Sequence, residues 1–151
     1  MRPRRLAVIT VFMFLGFAEH AVGADLKLLL LHSKTGLPVR GKKLCVSFRR
    51  NPNVQDTAEI CGRTNSQGTM IVPLPDESLE QWAYIGSATN DFVPCFRQQF
   101  AITDLARTGV IAPNTCGPER NDLKPNPGSL VLYGHQMSFW EVFKSMKGEL
   151  P

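Results

Sequence analysis

The sequence lacks a hydrophobic run long enough to cross a membrane. Its longest apolar stretch, residues 6–17, has twelve residues, whereas a helix that spans a bilayer needs about 20. Arginines precede this stretch and small residues follow it at positions 21–24, which is the layout of a cleaved export signal. We therefore expect residues 1–24 to be a signal peptide, a mature chain that starts at Ala24 or Asp25 without a transmembrane segment, and a secreted or periplasmic location.

Closely spaced metal ligands are also missing. The chain has four cysteines, Cys45, Cys61, Cys95 and Cys116, and none of them forms the short C-x₂₋₄-C spacing of zinc sites. The two histidines outside the signal, His32 and His135, are far apart in sequence. An even number of cysteines in an exported chain favours disulfides. We expect two disulfides, no metal and no cofactor.

Two further absences narrow the classes of function. The signal contains three arginines and one glutamate, so the 17 basic and 13 acidic residues of the whole chain become 14 and 12 in the mature protein. This small excess lacks the concentrated basic surface of nucleic-acid-binding proteins, and we expect no nucleic-acid partner. No G-x-S-x-G motif is present, and no serine is placed near a histidine by the sequence pattern. We predict no catalytic residues.

The hydrophobic pattern has the two-residue period of β-strands. Residues 28–31 are four leucines in a row, as in a strand buried on both faces. Residues 44–49 alternate apolar and polar side chains, and residues 70, 72 and 74 share one apolar face. Residues 82–88 and 96–102 indicate two more strands around a turn at residues 90–91. Short strands separated by turn residues predict an all-β fold, a β-sandwich, with no long helix.

The composition divides the mature chain into three parts. We predict a β-sandwich domain over residues 25–117, a Pro-rich linker over residues 118–128, and a tail over residues 129–151. The tail consists of an edge strand and a short C-terminal helix. Ser138 and Glu141 have the spacing of a capping box. Residues 139, 142, 143 and 146 then form an apolar stripe that needs a surface, either the domain itself, a partner or a membrane.

The strand pattern also predicts how the cysteines pair. Cys45 and Cys61 lie on consecutive predicted strands, each on the face opposite to its strand's apolar residues. Neighbouring strands therefore bring them together, as a disulfide requires. Cys95 and Cys116 are left to join the later strands to the end of the domain.

Several aromatic residues are candidates for a binding surface, because Trp and Tyr are enriched at interfaces. Aromatic residues also fill sandwich cores, and for Trp82 core packing is the favoured interpretation. The six candidates are Trp82, Tyr84, Phe92, Phe139, Trp140 and Phe143.

Two loop sequences resemble those of the prealbumin-like (transthyretin-like) domains, in particular the carboxypeptidase regulatory-like modules. Residues 35–41 read T-G-x-P-V-x-G, the turn that links the first two strands in that family. Residues 64–68 read T-N-x-x-G, the turn before its fourth strand. The resemblance covers residues 25–116 and implies a seven-stranded, Ig-like sandwich. Its motifs belong to the fold and carry no chemistry.

One enzyme branch of that superfamily, the hydroxyisourate hydrolases, provides the alternative function. In this chain the glycine of the T-N-x-x-G turn is followed by Thr69 where those enzymes have arginine, and the Y-R-G-S ending is replaced by residues 133–136. A hydrolase of this type would use His32, Arg63 and His135. The favoured hypothesis is instead a non-catalytic module that binds a protein or a glycan, or has a structural role.

Overall fold

A computed structural model of the chain describes residues 25–50, 59–74, 82–89, 91–120, 122–138, 141 and 143. The predicted signal peptide, residues 1–24, lies outside this part of the chain. So do Phe139 and Trp140 of the predicted binding surface, and most of the predicted tail helix. None of the helices within the described part is long and apolar enough to cross a membrane.

The described residues form two β-sheets and one short helix. The strands are β1 (Asp25–His32), β2 (Lys43–Arg49), β3 (Glu59–Arg63), β4 (Thr69–Pro73), β5 (Trp82–Ser87), β6 (Phe92–Pro94), β7 (Gln99–Ala101), β8 (Val110–Ile111) and β9 (Ser129–Gln136), and the helix is α1 (Ile102–Arg107). One sheet has the order β4-β1-β9-β6, with β8 also paired to β9, and the other has the order β3-β2-β5-β7. The predicted all-β sandwich is confirmed, with nine strands in the described part where seven were expected.

The main core lies between the two sheets and follows the two-residue period. Leu28 and Leu30 of β1 are completely buried in it, and so are Leu44 and Val46 of β2. Leu31, on the opposite face of β1, is also buried, in a second cluster on the outer side of the five-stranded sheet. The leucine run is therefore buried on both faces, as the sequence predicts.

β9 is an inner strand, which corrects the prediction of an edge strand after the end of the domain. It pairs in parallel with β1 along residues 129–134, while β8 and β6 pair with its other edge. Its side chains Leu130 and Leu132 are fully buried in the main core. The predicted boundary at residue 117 therefore divides strands of a single sheet, and residues 118–128 connect two parts of one domain.

The segment after β5 also differs from the predicted pair of strands. β5 does pair with β7, with Tyr84 opposite Gln99. Between them, however, β6 crosses to the other sheet and pairs with β9. The predicted strand over residues 96–102 ends at Ala101, because α1 starts at Ile102 and buries Ile102 and Leu105 in the core. A helix of six residues is too short to show a clear helical period in the sequence.

The turn at residues 64–68 has the geometry that its sequence requires. The Asn65 side chain accepts hydrogen bonds from the backbone N–H groups of Gln67 and Thr69, both at 2.9 Å. Gly68 has a φ of +72°, and a Cβ there would lie 2.6 Å from the carbonyl oxygen of Leu30. Glycine is therefore needed both for the backbone conformation and for the close approach of β1.

Candidate functional site

Both predicted disulfides are confirmed. Cys45 and Cys61 are directly opposite each other on β2 and β3 and are bonded, with a Cα–Cα distance of 4.0 Å. Cys95 and Cys116 are bonded at a Cα–Cα distance of 5.4 Å. The first disulfide links two neighbouring strands, and the second fastens the segment after β8 to the end of β6.

The outer face of the four-stranded sheet carries two aromatic side chains from β5. Ala83 and Ile85 point into the core and are buried, so Trp82 and Tyr84 point outward, and both are half-buried. This corrects the favoured interpretation of Trp82 as a core residue, and Tyr84 lies on the same outer face of the sheet. Successive outward residues of a strand are about 7 Å apart, so the two side chains stand next to each other.

Polar and cationic groups surround these two rings. The Arg49 guanidinium lies 4.3 Å from the centre of the Tyr84 ring, a cation–π contact. Its Nε atom is buried and has no hydrogen-bond partner among the residues that the structure describes. A cleft of about 600 Å³ is lined by Trp82, Tyr84, Arg97, Gln98 and Gln99. A hollow of about 310 Å³ continues from Trp82 past Asp104 of α1. We call Arg49, Trp82, Tyr84, Arg97 and Gln99 the aromatic face.

The other candidates for the binding surface do not join the aromatic face. Phe92 is only 4% exposed and packs in the core, so its assignment to a surface was wrong. A Cβ on Gly134 would lie 2.1 Å from the Phe92 ring, which shows how closely the ring covers β9. Phe143 is helical and 40% exposed. Phe139 and Trp140 lie outside the described residues.

The capping box of the tail is formed in the structure. The Glu141 carboxylate accepts a hydrogen bond from the backbone N–H of Ser138 at 2.7 Å, and the Ser138 hydroxyl accepts one from the N–H of Glu141 at 3.3 Å. Hydrogen bonds that this carboxylate accepts from Ser138, first of all the one from its backbone N–H, lower the pKa of the Glu141 carboxyl, because donors stabilise its charged form. The Glu141 side chain also lies 3.9 Å from the Nε2 atom of His135.

The three residues of the hydrolase alternative have separate hydrogen-bonding roles. His32 Nδ1 accepts from the backbone N–H groups of Lys34 and Thr35, both at 3.3 Å, and so caps the turn after β1. Arg63 donates to the carbonyl oxygen of Gly41 at 2.8 Å. His135 contacts Cys95, with 3.6 Å between Nδ1 and Sγ. Within the described part of the chain, no hydrogen bond joins any two of the three.

A second cavity was not expected from the sequence. It has a volume of about 350 Å³ and lies on the outer side of the five-stranded sheet, under the segment that the Cys95–Cys116 disulfide fastens. The residues that line it are Ile111, Ala112, Asn114, Glu119, Arg120, Leu123 and Tyr133. Tyr133 is 2% exposed, and its hydroxyl has no hydrogen-bond partner among the described residues. Burial raises the pKa of this hydroxyl. Because β9 was predicted to be an edge strand, nothing in the sequence indicated a buried Tyr133.

Each disulfide lies next to a further side chain of metal-ligand type. His135 is near Cys95 and Cys116, and Glu59 is near Cys45 and Cys61, with the ligand atoms of each group within 4.8 Å of one another. A metal binds cysteine as the thiolate, and sulfurs that are bonded to each other cannot act as thiolate ligands. These two groups are therefore considered as disulfide environments.

Comparison with known proteins gives one weak structural similarity. No protein-family model matches the chain, and a search of the curated proteins found no match. Among solved structures, the chain is similar to a mutant of the shaft pilin SpaA from Lactobacillus rhamnosus GG, with a TM-score of 0.44 and 10% identity over 76% of this chain and 48% of the pilin chain. The chain thus spans about half the length of that pilin. The β-sandwich class is evident from the two sheets described above.

Proposed function

We propose that the chain is an exported, non-catalytic binding module and that a protein partner binds at its aromatic face. The observation that carries this proposal is the outward, half-buried position of Trp82 and Tyr84 beside the cleft that Arg97 lines. Trp, Tyr and Arg are the residue types that contribute most of the binding energy at protein interfaces. The two disulfides fit the oxidising compartment to which the predicted signal peptide would direct the chain.

The arrangement of the aromatic face suits an incoming surface. The Arg49 guanidinium lies against the Tyr84 ring, so the ring and the charge are ordered before a partner arrives. A carboxylate of the partner next to the Arg49 guanidinium would form a charge-assisted hydrogen bond with one of its N–H groups, which are five in number.

The proposal names a protein rather than a glycan as the partner because of the composition of the surface. Interfaces between proteins are enriched in Trp, Tyr and Arg, and all three types occur within the aromatic face. The amide side chains of Gln98 and Gln99 line the same cleft and would also bind sugar hydroxyl groups. Binding of a glycan with no protein partner would therefore refute the choice of partner while keeping the location of the site.

The finer fold assignment belongs to the same proposal. We infer a prealbumin-like domain, the regulatory-like type that the turns at residues 35–41 and 64–68 resemble. The hydrogen bonds of Asn65 and the positive φ of Gly36 and Gly68 support this assignment, since both turns need these features. In our proposal this domain would bind or space other proteins without chemistry of its own.

The experiment compares variants of the immobilised protein as bait for the secreted or periplasmic fraction of its source. Trp82→Ala should lower the affinity for a captured partner by about 30-fold or more, as expected for the loss of a tryptophan hot spot. Ile71→Ala is the matched control, because Ile71 is an apolar side chain on the other sheet and is 62% exposed. Equal capture by both variants would contradict the proposed site, and a parallel glycan array tests the alternative ligand.

A further inference from the structure

The surroundings of the two disulfides differ in charge, and this difference bears on their chemistry. His135 Nδ1 lies 3.6 Å from the Cys95 sulfur, and the Nε2 atom of the same ring lies 3.9 Å from the Glu141 carboxylate. Each ring nitrogen thus has a polar atom of another residue within 4 Å, the Cys95 sulfur on one side and a Glu141 carboxylate oxygen on the other. By contrast, the Glu59 carboxylate lies near the sulfurs of Cys45 and Cys61.

The positions of the residues explain why His135 reaches the second disulfide. Val93 of β6 is directly opposite His135 of β9. Cys95 follows Val93 by two residues and packs on the same outer face of the sheet. The contact is therefore held by strand pairing, and the capping box at Ser138 holds Glu141 close to the imidazole.

The two sulfurs of this disulfide also differ in access. Cys95 is fully buried, whereas Cys116 is half-buried and lies in the loop after β8. An incoming thiolate must approach along the sulfur–sulfur axis, so it can attack only the Cys116 sulfur. Cys95 is then the leaving group, and it is the sulfur next to the imidazole.

We propose that Cys95–Cys116 is a thiol–disulfide exchange site that reacts with low-molecular-weight thiols, with His135 as the residue that stabilises the leaving thiolate. The thiolate of the reagent forms a bond to Cys116 Sγ, the Cys95–Cys116 bond breaks, and its electron pair goes to Cys95 Sγ. His135 then transfers a proton to Cys95. The thiolate of a second reagent molecule then attacks the reagent's sulfur in the mixed disulfide, the bond between that sulfur and Cys116 Sγ breaks, and its electron pair goes to Cys116 Sγ, which takes up a proton released by the reagent thiols. Two reagent thiols are thereby oxidised to one disulfide while the protein gains two thiol groups.

The segment that carries Cys116 stays attached after the bond opens. The side chain of Asn114 donates to the carbonyl oxygens of Ser33 at 2.7 Å and Pro118 at 3.0 Å, and the N–H of Thr115 donates to the carbonyl oxygen of Cys95 at 3.0 Å. These bonds keep the two cysteines close together, so the exchange is reversible.

The Cys45–Cys61 disulfide provides an internal control. Cys61 is exposed, whereas Cys116 is half-buried, so accessibility alone would make Cys45–Cys61 the first disulfide to be reduced. The Glu59 carboxylate, within 4.8 Å of both sulfurs, however repels an incoming thiolate and disfavours a departing one. Lys43 and Arg63, the next cross-strand pair on the same face, lie one step further along the strands, and the Arg63 guanidinium donates to the carbonyl oxygen of Gly41. We therefore expect the two disulfides to be reduced in the opposite order to the one that their exposure predicts.

The test is partial reduction of the oxidised protein by a limiting amount of 2-mercaptoethanol, followed by alkylation and peptide mass mapping. We expect Cys95–Cys116 to open about tenfold faster than Cys45–Cys61, since a histidine next to a leaving thiolate lowers the pKa of the thiol and a better leaving thiolate departs faster. The expected product is a mixed disulfide at Cys116. Reduction of Cys45–Cys61 first, or a mixed disulfide at Cys95, would overturn the proposal.

Variants separate the effect of His135 from simple accessibility. His135→Gln should slow the opening of Cys95–Cys116 about tenfold and leave the rate at Cys45–Cys61 unchanged. Glu141→Gln tests the same contact without altering the strand, and a smaller decrease is expected. Glu59→Gln is the reciprocal control and should speed the opening of Cys45–Cys61 alone. If the rate at Cys95–Cys116 were unchanged in folded His135→Gln and Glu141→Gln proteins, the assigned role of His135 would be wrong.

Discussion

The substitution Leu132→Ala tests the position of β9 inside the sandwich. Leu132 is fully buried between the sheets and is the register partner of Leu30 on β1. Removing a leucine side chain from such a site costs the transfer free energy of the lost methyl groups and adds a cavity, in total about 3 to 4 kcal/mol. β9 pairs with β1 on one edge and with β6 and β8 on the other. The backbone around the new cavity should therefore move little to fill it, so we expect a loss in the upper part of that range.

Urea unfolding of the oxidised protein measures this loss of stability. With a slope of about 1.5 kcal/mol per M, typical of a small domain, the midpoint should fall by about 2.5 M. Ile71→Ala is the matched control on the exposed side of β4 and should change the free energy of unfolding by less than about 0.5 kcal/mol. If Leu132→Ala lowered the free energy of unfolding by less than about 1 kcal/mol, Leu132 would not be part of the core. β9 would then be a peripheral edge strand, as the sequence pattern predicts.

Two further predictions concern the packing of the five-stranded sheet. Gly134→Ala should destabilise the protein by about 1 to 3 kcal/mol in the same urea assay, because its Cβ would lie 2.1 Å from the Phe92 ring. Gly86→Ala is the control: its new Cβ would have no atom within 4 Å, so the free energy of unfolding should change by less than about 0.5 kcal/mol. Equal effects of the two substitutions would contradict the packing of Phe92. Tyr133→Phe should stabilise the protein by about 1 kcal/mol at neutral pH, because it removes a buried hydroxyl without a partner among the described residues. Because the pKa of Tyr133 is raised in the folded protein, the unfolded chain loses the hydroxyl proton first, and the stability of the original protein should fall as the pH rises above 10.0. Tyr133→Phe should weaken that fall. If the dependence of stability on alkaline pH were the same in both proteins, the hydroxyl would not be buried.

The sequence predicts the strands whose pattern is local. β1, β2, β4 and β5 all alternate or run apolar over five or more residues, and the Cys45–Cys61 disulfide follows from this alternation. The two-residue period of β5 also places the side chains of Trp82 and Ala83 on opposite faces of the sheet. It does not say which face meets the other sheet, and for Trp82 the preference for core packing gave the wrong side.

The position of β9 depends on pairing that is remote in sequence. It lies beside β1, about a hundred residues earlier in the chain, and a Pro-rich connection precedes it. Parallel pairing leaves no turn signal next to the strand, so nothing local distinguishes an inner strand from an edge strand. The cavity at Tyr133 and the contact between His135 and Cys95 both depend on β9, and for the same reason neither was predicted from the sequence.

The most direct test of the proposed binding site is the accessibility of the Trp82 side chain in the complex. Trp82 and Trp140 are the two tryptophans of the chain, so a Trp140→Phe background reports Trp82 fluorescence alone. When a tryptophan-free fragment of the captured partner is added to saturation, we expect the Trp82 emission to shift to the blue and its quenching by acrylamide to decrease, because the partner covers the aromatic face. Unchanged emission and quenching at saturation would show that the partner binds elsewhere.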